Sequence, residues 1–154
     1  MEMPKPTDQH RRLHRLAGEW SGEEKLFPTQ WGPGGAATAQ VSARVELDGF
    51  YVIQDYVENR EGRVTFRGHG IFGYDAQAQD YCRYWIDSMG FVPDVPARGH
   101  WEGDTLTFRY ASPRGHARYT YRFESDQVHH LRLENSHDGG KTFQTFMEAT
   151  YSKK

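Results

Sequence analysis

The chain has 154 residues, 26% of them charged, and a formal net charge of -2. That suits one globular domain with a sizeable core and leaves no electrostatic footprint for nucleic acid or an anionic membrane. A single cysteine, Cys82, excludes an internal disulfide, and the N-terminus "MEMPKPTDQHRRLHRLAGEW" has no apolar core of an export leader or membrane span. Residues 1–154 read as one domain, since no linker or break in composition divides them, and a cytoplasmic location is the default expectation.

In chain order, Thr7 or Asp8 can cap a short helix through "QHRRLHRLAG", with Leu13 and Leu16 on one face and Gly18 to end it. From there the apolar period becomes two. The predicted strands are Glu19–Phe27, Ala37–Leu47, Phe50–Glu58, Arg63–Tyr74, Tyr81–Met89, Ala97–Glu102, Thr105–Ala111, His116–Glu124, Val128–Ser136 and Thr142–Tyr151. Turn signals such as "NREG", "DAQAQD", "EGD" and "HDGGK" separate them. Aromatic residues, 14% of the chain, favour strands, and the 16 glycines suit many turns. Short connections require antiparallel neighbours, so the expected fold is an all-β meander of roughly ten strands. Closing it into a barrel removes two long edges.

Facing follows from parity. Ala39, Val41, Ala43, Val45 and Leu47 alternate with polar residues and should point inward. A two-residue Asp48-Gly49 loop would pair Val45 with Val52; carried onward, it would put Arg67 and His69 inside. A three-residue loop, Leu47-Asp48-Gly49, pairs Val45 with Tyr51 and is preferred because it buries the aromatics. It directs Tyr51, Ile53, Asp55, Val57, Phe66, Gly68, Gly70, Phe72, Trp85 and Asp87 inward. Gly70 then falls opposite Trp85, whose indole can cover the missing side chain, and Gly68 falls opposite Asp87.

"RGH" occurs three times, ending at His69, His100 and His116. All three histidines have outward parity, so they are not expected to converge on a metal. "SHDGGKTF", Ser136–Phe143, matches the Asp-box hairpin pattern S-x-D-x-G-x-T-[WF], with Asp138 accepting backbone N–H groups. In "SMGFVPDVPARG", Pro93 and Pro96 forbid a central strand; the segment is either a lid over a barrel mouth or a long outer connection. Cys82 has outward parity and no activating neighbour in sequence, which argues against a nucleophile. The helix is basic on one side, as a solvated face would be.

Gly18-Glu19-Trp20, together with "ELDGFYVIQDY", "GHWEGDTLTF" and the block Gly73-Tyr74-Asp75 followed by Tyr84-Trp85-Ile86-Asp87-Ser88, resembles a family of bacterial lipocalin-like (calycin) domains of unknown function. The resemblance covers nearly the whole chain. It implies a closed or nearly closed ten-stranded barrel, with the tryptophan sealing one end under the helix, and no established activity. The expected function is non-covalent binding of a small, mostly apolar or amphipathic molecule in the lumen. The expected lining is Trp20, Tyr51, Asp55, Phe66, Gly68, Gly70, Phe72, Arg83, Trp85, Asp87, Trp101, Tyr119, Tyr121, His129 and Asn135, and Glu24 shares the parity of Trp20. No cofactor, metal, nucleic acid or membrane is expected as a partner, and a homodimer stays open. Three alternatives remain: a lyase- or isomerase-type enzyme with Asp55 and Asp87 as acid and base, haem binding through His129 as the resemblance of Gly18-x-Trp20-x-Gly22 to nitrobindin-like proteins implies, and a filled barrel with an interaction role.

Overall fold

The computed structural model describes residues 1–154. Helix α1 (Asp8–Arg12) starts at Thr7, whose carbonyl accepts Arg11 N–H at 3.1 Å and whose own N–H donates to His10 Nδ1 at 3.0 Å. The chain then tightens into a 3-10 turn, Leu13–Leu16, which buries both leucines. Ten strands follow: β1 (Gly18–Leu26), β2 (Gly35–Glu46), β3 (Tyr51–Arg60), β4 (Arg63–Asp75), β5 (Asp80–Asp87), β6 (Ala97–Glu102), β7 (Thr105–Ser112), β8 (Gly115–Phe123), β9 (Val128–Ser136) and β10 (Gln144–Lys153). Each pairs antiparallel with its neighbours in sequence, and β1 pairs with β10 from Trp20↔Lys153 to Leu26↔Met147, closing the barrel. Every predicted strand is present. No helix is long and apolar enough to cross a membrane.

One end of the barrel is stoppered by the N-terminal helix. Trp20, 1% exposed, donates Nε1–H to Leu16 O at 3.0 Å and meets His129 edge-on at 4.4 Å between ring centres. Arg15 ties the plug to two hairpin turns through Asp104 (2.8 Å) and Asp126 (2.9 Å), while Tyr81 Oη donates to Gln9 O at 2.9 Å. Gly18 is required here: its φ is +138°, and a Cβ would lie 2.5 Å from the Lys153 side chain.

The β2–β3 register corrects the expectation. Val45 pairs with Val52 and Ala43 with Gln54, so the inward residues of β3 are Val52, Gln54, Tyr56 and Glu58. The loop has four residues, Leu47 to Phe50, with Leu47 (φ 53°) and Asp48 (φ 58°) both in the left-handed region. Four residues restore the parity of a two-residue loop. A second irregularity, between Glu58 and Asn59 opposite β4, resets the next strand, so that Phe66, Gly68, Gly70 and Phe72 face inward and His69 outward. Tyr51 lies outside, its ring over Gly73, where a Cβ would meet it at 2.7 Å.

The wall is incomplete at the other end. β5 pairs with β6 only through Tyr81↔Gly99, Cys82↔Arg98 and Arg83↔Ala97. Beyond Arg83 the strands part, because the segment carrying Pro93 and Pro96 cannot continue the ladder.

Candidate functional site

Above this parting lies a cavity of about 480 Å³. Arg83, Trp85, Asp87, Ala97, Tyr110, Ala117, Tyr119 and Asn135 line it from the barrel wall; Met89, Phe91, Pro93 and Val95 line it from the proline segment. That segment therefore borders the mouth. Tyr110 Oη donates to Asp94 Oδ1 at 2.9 Å, and the Arg114 guanidinium sits 4.4 Å over the Phe91 ring, so both contacts hold it in place.

Trp85 organises the floor. Its indole lies flat on Gly68, where a Cβ would approach Cζ2 to 2.2 Å, and also touches Gly70. Its Nε1–H donates to Asp87 Oδ2 at 2.8 Å, and Asp87 Oδ1 accepts the Met89 N–H at 2.9 Å. Arg83, 6% exposed, stacks 4.7 Å from the Trp85 ring and 4.3 Å from that of Tyr119, and donates Nε–H to Tyr121 Oη at 3.0 Å. Burial raises the Tyr119 phenol above its ordinary range, so that hydroxyl stays protonated at neutral pH.

Behind this cavity a second polar group fills the interior. Glu24, 2% exposed, accepts Tyr56 Oη–H at 2.5 Å and Tyr151 Oη–H at 2.7 Å on one carboxyl oxygen, while the other has no partner. Burial pushes its carboxyl up to about 7. Glu58 stands 3.3 Å from the same Tyr56 hydroxyl and accepts Thr65 Oγ1–H at 3.0 Å. Parity with Trp20 pointed to Glu24. Tyr56 and Glu58 were missed because the register that turns the aromatics of β4 inward was carried onto β3 without the shift between Glu58 and Asn59.

The fifteen expected lumen residues therefore divide. Arg83, Trp85, Asp87, Tyr119 and Asn135 line the cavity, and Gly68 and Gly70 lie beneath its indole. Phe66 packs against Tyr56, 6.3 Å between centres. Trp20, Phe72, Trp101, Tyr121 and His129 belong to the close-packed interior toward the plug. Tyr51 and Asp55 are corrections: both are on the outer surface, where Asp55 pairs with His69 (2.7 Å) and Arg44 (2.9 Å). Asp55 and Asp87 thus sit on opposite sides of the wall and cannot act as an acid–base pair on one substrate. His129 is boxed in by Trp20, Phe123 and Tyr151, outside the cavity lining, and burial drives its imidazole down to about 3. Those surroundings do not fit a haem ligand, which would need an open face at the ring nitrogen.

The three "RGH" histidines do not converge. His69 faces Asp55 outside, His100 is exposed on β6, and His116 stands at the cavity mouth beside Gly140. Asp138 organises its hairpin as the motif predicts: Oδ1 accepts Thr142 N–H (2.9 Å) and Lys141 N–H (3.0 Å), and Oδ2 accepts Thr142 Oγ1–H (2.5 Å). Cys82 has its thiol pushed up by burial, which opposes thiolate chemistry. A larger depression, about 1300 Å³, is bordered by residues of β1, β2, β8, β9 and β10; its lining mixes outward charges, among them the Arg132–Glu148 pair, with small and apolar residues and reaches the buried Glu24.

The chain is thus an all-β protein, a closed ten-stranded antiparallel barrel plugged at one end and with a cavity at the other. The chain belongs to the family described as "Protein of unknown function (DUF1579)", whose profile matches residues 5–153. Among curated proteins none matches the sequence. Solved structures of similar shape include an S-type phycobiliprotein lyase from Guillardia theta, 10% identical over 98% of each chain with a TM-score of 0.68. Another is Rv2717c from M. tuberculosis, 11% identical over 96% of this chain and 98% of that one, with a TM-score of 0.71. A redesigned β-barrel also matches, at 12% identity and a TM-score of 0.50, over 94% and 96% of the two chains. These likenesses are of fold.

Proposed function

We propose that the protein binds a small, mostly apolar molecule non-covalently in the cavity at the open end of the barrel. The observation that carries this reading is the volume of about 480 Å³ beside Trp85, where aromatic rings, two alanines and the apolar residues of the proline segment meet a few polar groups, at the end of the barrel away from the clustered core around Trp20. A cavity of this size is within the range that holds drug-sized ligands. The fold it shares with a phycobiliprotein lyase is compatible with such a role.

The test uses N-phenyl-1-naphthylamine, an uncharged dye whose emission rises in apolar surroundings. Saturable binding at one site per chain is expected. Gly70→Leu, which pushes into the Trp85 and Phe72 rings, and Ala117→Leu, which occupies the cavity from the opposite wall, should each abolish it. Gly70→Leu should also cost about 1–3 kcal/mol from overpacking. Absence of saturable binding, or binding indifferent to both substitutions, would refute the reading.

A further inference from the structure

We infer that the guest of this cavity carries a carboxylate and that Arg83 is its anchor; the inference rests on the cavity being a binding site. Arg83 is the most deeply withdrawn arginine of the chain, yet no carboxylate pairs with it. The other arginines partly withdrawn from water all face an acid: Arg15 faces Asp104 and Asp126, Arg118 faces Glu134 at 2.5 Å, and Arg60 faces Glu58 at 3.7 Å. Arg83 is the exception, and it is the one that lines the cavity.

Its geometry is that of a preorganised fork. Trp85 and Tyr119 hold the guanidinium in place, and Nε is fixed on Tyr121. Apart from Tyr121, its only hydrogen-bonding side chain is the Tyr119 hydroxyl; no carboxylate reaches it, and it borders the cavity. A buried cation without a counter-ion is costly, and cation–π contacts offset only part of that cost. A guanidinium that borders a cavity and has no acid partner matches a carboxylate in charge and shape.

Asp87 does not fill that role. Both its oxygens are engaged, one by the Trp85 indole and the other by the Met89 amide, and it forms no ion pair with Arg83. The remaining titratable groups of the lining are Arg114, His116 and His137, together with the tyrosines, so the lining carries two permanent cations against one acid. An apolar body would lie on Trp85, Tyr110 and the proline segment, with its acid end toward Arg83. The guest class is a small amphipathic carboxylic acid.

Competition against the bound naphthylamine dye separates this inference from the binding reading. Decanoate and decanol share an alkyl chain and differ at the head. Decanoate should displace the dye at least tenfold more effectively from the unmodified protein. Arg83→Met keeps an apolar side chain of similar length; on that variant decanoate should fall to the level of decanol measured on the same variant. Equal displacement by both compounds, or a decanoate preference that survives Arg83→Met, would overturn the carboxylate assignment while leaving the cavity a binding site. Failure of the dye itself to bind would remove the binding reading and this inference with it. The comparison on the unmodified protein decides the matter even where the variant does not fold.

Discussion

The two ends of this barrel use the same kinds of residue to opposite effect. Toward the plug, Trp20 is enclosed by His129, Phe123 and Leu16, and the rings pack edge to face with no space between them. At the open end Trp85 lies on two glycines with its other side toward a cavity, and a buried arginine beside it has no acid. Toward the plug the unpartnered buried groups, Trp101 Nε1–H and His129 Nδ1, belong to neutral rings; at the open end the group without an acid is a cation. A buried cation without a counter-ion, beside the stretch where the β5–β6 ladder is cut short, marks where a ligand would enter.

The first way to break this comparison is to truncate the two tryptophans. Trp20→Ala leaves a void in close-packed surroundings and should cost about 3–5 kcal/mol in urea denaturation. Trp85→Ala removes a ring already bordering a cavity and should cost roughly 1.5–3 kcal/mol. Equal losses would mean that the open end is packed as tightly as the plug.

The second concerns charge. Glu24 is held protonated up to about 7, so its burial costs nothing at acid pH and progressively destabilises the fold as pH rises from about 4.5 to 7. His129 is held neutral down to about 3, so the stability it supports is complete above its ordinary value of 6.5 and is lost as pH falls toward 3. Between pH 5 and 6 the two slopes oppose each other. Relative to the unmodified protein, Glu24→Gln should make stability climb with pH across that interval by about 1 kcal/mol per unit. His129→Phe should make it fall by a similar amount. Denaturation midpoints at pH 5 and 6 read both, and an unchanged slope in either variant would show that the group titrates normally.

A smaller effect is expected at the hairpin that covers the outer side of the open end. Asp138 accepts bonds from Ser136, Lys141 and Thr142, and these hold its carboxyl below the usual carboxylate range, the Thr142 hydroxyl most of all. Asp138→Ala should lower the melting temperature by a few degrees at neutral pH. The difference should shrink below pH 4, where the unfolded carboxyl protonates while the folded one stays ionised.

How legible these features were in the sequence depends on local geometry. The strands were readable because alternation and turn residues are local signals, and Val128–Ser136 and Ala97–Glu102 match residue for residue. Trp85 over glycine and the inward Arg83 followed from parity along β4 and β5. The facing of β3 did not. Its loop places two non-glycine residues at positive φ, which no composition rule announces, and its inward side, Gln54, Tyr56 and Glu58, is the more polar of the two. Burying the aromatics gave the right facing of β4, but the shift between Glu58 and Asn59 uncouples it from that of β3. The buried Glu24–Tyr56–Tyr151 group was hidden by the same error, and the missing partner of Arg83 is visible only once the acids have been placed.

The smallest predicted effect tests that placement directly. Asp55 and Asp87 have similar sequence surroundings, each on an alternating strand rich in aromatics, and parity alone would put them together. The structure separates them by the thickness of the wall. Asp55 is about 40% exposed and shares two surface ion pairs with Arg44 and His69. Exposed pairs of this kind contribute on the order of 0–1 kcal/mol because water and salt screen them. Asp55→Asn should therefore shift the denaturation midpoint barely at all and leave Trp85 emission and dye binding unchanged. Asp87→Asn replaces the acceptor of the indole N–H and should alter Trp85 emission in the folded protein, with dye affinity changing alongside. If Asp55→Asn perturbs the tryptophan and Asp87→Asn does not, the facing of β3 is reversed, and the cavity floor described here is wrong.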